Sequence, residues 1–152
     1  MIKEKEKFMQ EALLEAKKAA ALGEIPIGCV IVWRGQIIGR GHNLREQTKQ
    51  THDHAEMIAV AQANRFLNSW RLEETELYVT LEPCPMCSGA IINARIPKVY
   101  YGAPDEKAGT AGTLMNLLTD PRFNHRVKVQ KGLLRRECAL LLSDFFAKLR
   151  KK

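Results

Sequence analysis

The sequence predicts an α/β fold, a five-stranded mixed sheet between layers of helix. Three observations predict it. Helix-like and strand-like patterns alternate along the chain. Two β-rich runs flank Arg34-Gly35, which reads as a tight hairpin turn. No internal repeat or low-complexity linker divides the 152 residues, a length that suits a single domain with one substantial core.

The elements follow in order. Residues 3–22 place Phe8, Met9, Ala12, Leu13, Ala16, Ala19 and Ala20 at helical spacing, with charges opposite and Gly23 to close the helix. The hairpin comes next, in IPIGCVIVWRGQIIGRGHN. The polar stretch Leu44 to Asp53 reads as a loop, and residues 55–68 as a helix. ELYVTL, Glu76–Leu81, is a continuous apolar run and so a buried strand. Pro83 opens a helix that runs to about Ala94, because proline is at home in a first turn. KVYYGA is a strand, GTAGTLMNLL a Gly-rich loop leading into a short helix, and HRVKVQKG a last strand. RRECALLLSDFFAKLRKK closes the chain as an amphipathic helix.

Composition narrows the function classes. Hydrophobic residues at 45% and charged residues at 27% are ordinary for a globular protein. No run of eighteen apolar residues is present, so no membrane span is expected. The first residues show no apolar core of a secretory signal, which points to a cytoplasmic protein with reduced thiols. The net charge of +7 leans towards polyanionic partners. Lys148, Arg150, Lys151 and Lys152 crowd the last five positions, and Arg126, Lys128, Lys131, Arg135 and Arg136 lie upstream. Two readings of this tail stand together: an RNA-binding end, or a solvated helix terminus that favours cations.

The chemistry lies between His54 and Ala90. Cys84 and Cys87 sit three apart at a helix start, so both sulfurs face one side. The positive end of that helix favours thiolate. Zn2+ takes thiolates and imidazole in a tetrahedral shell, and three protein ligands leave one position open, as in catalytic sites. His54 is the candidate third ligand. His52 is two residues away, but only His54 has a glutamate two positions later. No second C-x-x-C closes a four-ligand knot, and Cys29 and Cys138 read as core thiols.

Glu56 is the candidate proton carrier. On a regular helix, positions two apart diverge by about 200°. His54 and Glu56 therefore share a site only at the first turn, where the loop also aims the side chains. Zinc lowers the pKa of a water towards about 7, and a nearby carboxylate can move its proton. Taken singly, the cysteine pair also fits a redox couple, and His54 and Glu56 fit solvated polar positions. The complete pattern, His-x-Glu followed by Pro-Cys-x-x-Cys, is the signature of zinc nucleobase deaminases.

Around that pattern the chain resembles the bacterial tRNA-specific adenosine deaminases. The likeness covers nearly the whole chain. EIPIGCVIV, GRGHN, HAEMIA, SWRLEETELYVTLEPCPMCSGAII, ARIPKVYYGAPDEKAGTAGTLMNLL, FNHRV and ECALLLSDFF carry it. The zinc motif alone would also suit cytidine or guanine deaminases. The resemblance implies a three-layer cytidine-deaminase-like fold and a homodimer with its RNA site near the subunit boundary. It implies one Zn2+ per subunit and conversion of the wobble adenosine of an arginine tRNA to inosine. By residue, His54, Cys84 and Cys87 correspond to the ligands and Glu56 to the proton shuttle. Asn43 corresponds to a base-contacting amide, which can both donate and accept. Ile27 and Val30 correspond loosely to apolar positions near the base, or else to hairpin core. Asp105 matches a position on the nucleic-acid-facing loop, or caps that loop. Phe145 and Phe146 match paired aromatics of the last helix, one packed inside and one free to stack on an anticodon-loop base. Two departures stand out. Asp53 precedes His54, where the family often has a small apolar residue. Pro85 follows the first cysteine, where a β-branched residue is common, and a first helical turn tolerates it.

Overall fold

The computed structural model describes residues 2–151. The first element is α1 (Ile2–Ala21). Its buried Met9, Ala12, Leu13, Ala16 and Ala19 recur at helical steps, so a single stripe meets the sheet. β1 (Gly28–Trp33) and β2 (Gln36–His42) form the expected antiparallel hairpin. Arg34 and Gly35 both have positive φ, 49° and 76°, which the tight turn needs to match the twist of the strands.

One turn of helix, α2 (Arg45–Thr48), stands in the stretch expected to be all loop. Then come α3 (Ala55–Leu67) and β3 (Thr75–Leu81). α4 (Pro85–Asn93) opens at Pro85 rather than Pro83. β4 (Lys98–Ala103), β5 (Lys128–Lys131) and α5 (Arg135–Arg150) complete the chain. β5 is shorter than the sequence pattern suggested. The strand order is β2-β1-β3-β4-β5. β1 is antiparallel to β2 and β3, while β3, β4 and β5 run parallel, so the sheet is mixed as expected.

The short helix expected after the Gly-rich loop does not form. Residues 109–118 make turns and one isolated bridge, Ala111 to Asn116. The Glu82 carboxylate takes the N–H groups of Ala111 and Thr113, and Gly112 at φ +131° lies outside the helical region.

Side-chain alternation gives the sheet two covered faces. Cys29, Ile31, Leu77, Val79, Val99 and Tyr101 pack with Ala55 and Ala59 of α3 and Ile91 and Ile92 of α4. Val30, Val32, Tyr78 and Tyr100 pack on the other face with Met9 and Leu13 of α1 and Cys138 of α5. Cys29 and Cys138 are buried free thiols, as expected of core residues. Among the described residues, no helix is long and apolar enough to cross a membrane.

Two glycines decide how closely α3 lies on the sheet. A Cβ on Gly39 would stand 2.4 Å from the Ala59 carbonyl oxygen, and one on Gly41 would stand 2.5 Å from that of Ala55. The helix backbone therefore rests directly on β2. One end of the sheet then collects the start of β1 and the ends of β2, β3 and β4. The Gly28 N–H donates to Thr80 Oγ1 there, at 3.1 Å.

Candidate active site

The N-termini of α3 and α4 converge at that end of the sheet. His54 is the N-cap of α3 and Cys84 the N-cap of α4, both with extended backbone (φ −80°, ψ 156° and φ −79°, ψ 175°). An N-cap side chain ordinarily accepts a hydrogen bond from the helix's own first turn, worth about 1 kcal/mol. Neither His54 nor Cys84 does so. Both side chains turn instead towards each other.

His54 Nδ1 lies 3.5 Å from Cys84 Sγ and 3.5 Å from Cys87 Sγ. The three ligand atoms all lie within 4.8 Å of one another. A tetrahedral zinc with Zn–S near 2.3 Å and Zn–N near 2.0–2.1 Å separates nitrogen from sulfur by about 3.6 Å. Both nitrogen–sulfur distances therefore fit a zinc held by the trio. His52, the competing histidine, is exposed and faces Asp53, with Nε2 to Oδ1 at 3.6 Å.

Electrostatics suit the same chemistry. A hydrogen bond from Cys87, and then His54, pull the Cys84 thiol down to about 4. The same bond and burial hold the Cys87 thiol up, so the pair shares a proton that a metal would displace. The Cys84 hydrogen bond raises His54 above its ordinary value. Glu56 is 4% exposed, in the first turn of α3. Burial pushes its carboxyl up to about 7, against the pull of its own backbone N–H, His54 and Cys87. A carboxyl poised there can both take and give a proton at neutral pH.

Asn43 follows β2 and is 5% exposed. Its Nδ2 donates to the Ile25 carbonyl at 3.4 Å and its Oδ1 accepts the Arg45 N–H at 3.2 Å. One N–H and one lone pair remain free for a ligand. Ile27 is half-buried on the face of the sheet that carries α3 and α4. Val30 is not. It is fully buried against the α1 side with Met9 and Tyr78, three residues on from Ile27 and hence on the opposite face. Val30 is core and leaves the set of base-contacting candidates.

Asp105 Oδ1 accepts the N–H groups of Lys107 (3.0 Å) and Ala108 (3.2 Å), so it does cap its loop. Phe145 is half-buried and Phe146 is 37% exposed, their rings edge to face at 5.5 Å. Arg126, Lys148, Arg150 and Lys151 are exposed. Lys152 lies outside the described residues.

Glu82 is a site residue that sequence reasoning missed. It is 2% exposed and directly follows β3, just before Pro83-Cys84. Its carboxylate accepts the N–H groups of Asp105 (3.0 Å), Ala111 (2.9 Å) and Thr113 (3.1 Å) and the Thr113 hydroxyl. The Pro83 carbonyl in turn accepts the Thr110 N–H at 3.0 Å. The loop after β4 is thereby pinned to the start of the cysteine helix. An acidic residue directly after a buried strand was the available signal.

Known proteins match both the sequence and this geometry. The family profile of MafB19-like deaminases matches residues 3–150. The tRNA-specific adenosine deaminase of Bacillus subtilis (strain 168) is 54% identical over 147 residues, covering 97% of this chain and 91% of the relative. A solved structure from a study of A-to-I editing by tRNA:A34 deaminases superposes with a TM-score of 0.86 at 40% identity. It covers 90% of this chain and 99% of that one. The guanine deaminase of Nitrosomonas europaea superposes with a TM-score of 0.82 over 93% of this chain and 84% of its own, but at 24% identity it shares the fold alone. The fold is cytidine-deaminase-like. The chain belongs to the MafB19-like deaminases and, among them, to the tRNA-specific adenosine deaminases that match it along nearly its whole length.

Proposed function

We propose that this chain is a single zinc-dependent deaminase domain that converts the wobble adenosine of an arginine tRNA to inosine. The observation that carries the reading is the meeting of His54, Glu56, Cys84 and Cys87 at two helix N-termini. The 54% identity to a tRNA-specific adenosine deaminase supports it.

His54, Cys84 and Cys87 hold one zinc per subunit. Bound there, zinc supplies Lewis acidity that brings the pKa of a water towards about 7. The wobble base leaves its stack to enter the site, at a cost of about a few kcal/mol in an unpaired loop. Asn43 holds its edge, with Ile27 against its apolar surface. Glu56 takes a proton from the water that adds at C6. It passes that proton to the ring nitrogen, then takes the second proton from the oxygen now on C6 and gives it to the departing amine as the C–N bond breaks. The N–H groups at the start of α4 steady negative charge on the reacting centre. Water and adenosine thus give inosine and ammonia.

The RNA path runs over exposed groups. Phe146 offers a stacking face, and Asp105 sits on the loop towards the substrate. Arg126, Lys148, Arg150, Lys151 and Lys152 meet phosphates. A homodimer with its boundary beside the site belongs to this reading, and Leu114 and Met115, 57% and 54% exposed on the loop that Glu82 pins, are its candidate contacts. The enzyme acts in the cytoplasm, where its substrate is. Zinc-loaded protein is tested on an anticodon stem-loop with wobble adenosine, the same loop with cytidine, and free guanine. Inosine from the first alone, abolished by Glu56→Ala, is expected. Turnover of free guanine or of the cytidine loop keeps the zinc chemistry and overturns the substrate.

A further inference from the structure

The amides at the start of α2 need acceptors, as at any helix start. Leu44, the N-cap, has no side chain to provide one. Asn43 Oδ1 takes the Arg45 N–H at 3.2 Å. Glu24 takes the next two. Its Oε1 accepts the Glu46 N–H at 3.2 Å and its Oε2 the Gln47 N–H at 2.6 Å. Glu24 lies between α1 and β1 and is 1% exposed.

The same connection grips Asn43 from its other side. The Ile27 carbonyl accepts the Asn43 backbone N–H at 3.1 Å, and the Ile25 carbonyl accepts Nδ2 at 3.4 Å. The Leu22 carbonyl accepts Gln47 Nε2 at 3.1 Å. Residues 22–27 and 43–47 are therefore laced together, with Asn43 in the seam. This lacing fixes which end of the amide is which. A flipped Asn43 would set N–H against the Arg45 N–H and oxygen against the Ile25 carbonyl.

A buried acid is a costly way to cap one turn of helix. A serine or aspartate at position 44 would cap it locally. A local cap, however, would leave α2 free to drift from the segment that enters β1. Glu24 ties the two. Through the Arg45 N–H, it also sets the position from which Asn43 Oδ1 is held.

We propose that Glu24 is the positioning residue for Asn43, holding α2 so that the Asn43 amide presents one N–H and one lone pair to the flipped base. This rests on the reading of Asn43 as a base-contacting residue.

The test combines kinetics with NMR on zinc-loaded protein. In the first arm, kcat/KM on the wobble-adenosine stem-loop is measured for Glu24→Ala, Asn43→Ala and the double variant. Misplacing a substrate-holding group costs up to about a hundredfold. A loss of that order is expected from Glu24→Ala when Asn43 is present, and little further loss when Asn43 is already alanine. Glu24→Gln, which keeps one acceptor oxygen, should recover part of it. Equal losses in both backgrounds would mean general scaffolding and overturn the proposal. In the second arm, the Asn43 side-chain amide signals, assigned by their absence from Asn43→Ala, should shift and exchange faster in Glu24→Ala. Unchanged signals overturn the proposal without any need for turnover. Should Glu24→Ala fail to fold, Glu24→Gln serves in both arms. A wild type inactive on the stem-loop, with Asn43 signals that still respond to Glu24, would refute the substrate and leave the positioning role standing.

Discussion

Removing the Glu82 carboxylate should loosen the loop after β4. Its two oxygens accept hydrogen bonds from Asp105, Ala111 and both donors of Thr113. In Glu82→Gln the amide nitrogen can face the Thr113 hydroxyl, which turns to accept. The remaining oxygen keeps Ala111 and the Thr113 N–H, and only the Asp105 N–H loses its partner. A hydrogen bond to a charged group is worth about 1.5–3 kcal/mol, so glutamine should cost about 2 kcal/mol. Glu82→Ala strips all four donors. Asp105 and Thr113 can turn to water, but Ala111 is 5% exposed and its N–H cannot readily do so. About 3–4 kcal/mol is expected, a lowering of Tm by about 6–15 °C for a domain of this size.

Acid should erase this difference in a defined direction. Burial pushes the Glu82 carboxyl up, but the hydrogen bonds from Thr113, Asp105 and Ala111 outweigh it, and the net shift is below the ordinary 4.5. Such a group contributes its full stability above its unfolded pKa and loses it as pH falls through the folded one. Urea unfolding of wild type and Glu82→Gln at pH 7, and in steps below pH 4.5, reads the gap directly. The gap should be widest at neutral pH and shrink on acidification. Equal stability at pH 7, or a gap that grows towards acid, would refute the clamp.

Three further outcomes are expected. Glu56→Ala should abolish turnover while zinc content, read by mass spectrometry, stays at one per chain; metal loss with the fold intact would contradict the division of roles. His54→Ala should lose the metal and His52→Ala keep it, since only His54 reaches both sulfurs. Deleting residues 148–152 should weaken RNA binding and flatten its salt dependence, because each phosphate contact releases counterions. An unchanged salt slope would return those cations to the role of a solvated helix end.

Much of this architecture was legible because local pattern and tertiary outcome agree. The apolar stripe of α1, the Arg34-Gly35 turn and the continuous β3 run each specify one structure. The His54, Cys84 and Cys87 cluster was legible because its residue types are chemically scarce and their spacing is fixed by helix starts. What escaped depended on partners distant in sequence. Glu24 and Glu82 each looked like one polar letter in a motif, and their amide partners lie more than twenty residues away. GTAGTLMNLL has the composition of a helix start, but Gly112 at φ +131° lies outside the helical region and an Ala111–Asn116 bridge closes the segment into turns. For Val30, read either as a position near the base or as hairpin core, period-two alternation decides for core, since it sets Val30 opposite Cys29 and Ile31.

The bareness of Gly39 and Gly41 has a consequence for how this enzyme can change over time. The height of His54 above the sheet is set by main chain resting on main chain, where no side chain exists to be exchanged. A mutation can enlarge that contact but cannot adjust it by degrees. The exposed face of α5 carries ordinary side chains, open to gradual substitution. If α5 meets RNA as proposed, variation there can remodel which nucleic acid is received while the reacting centre stays where it is. The fold separates a part that can drift from a part that can only be kept or lost.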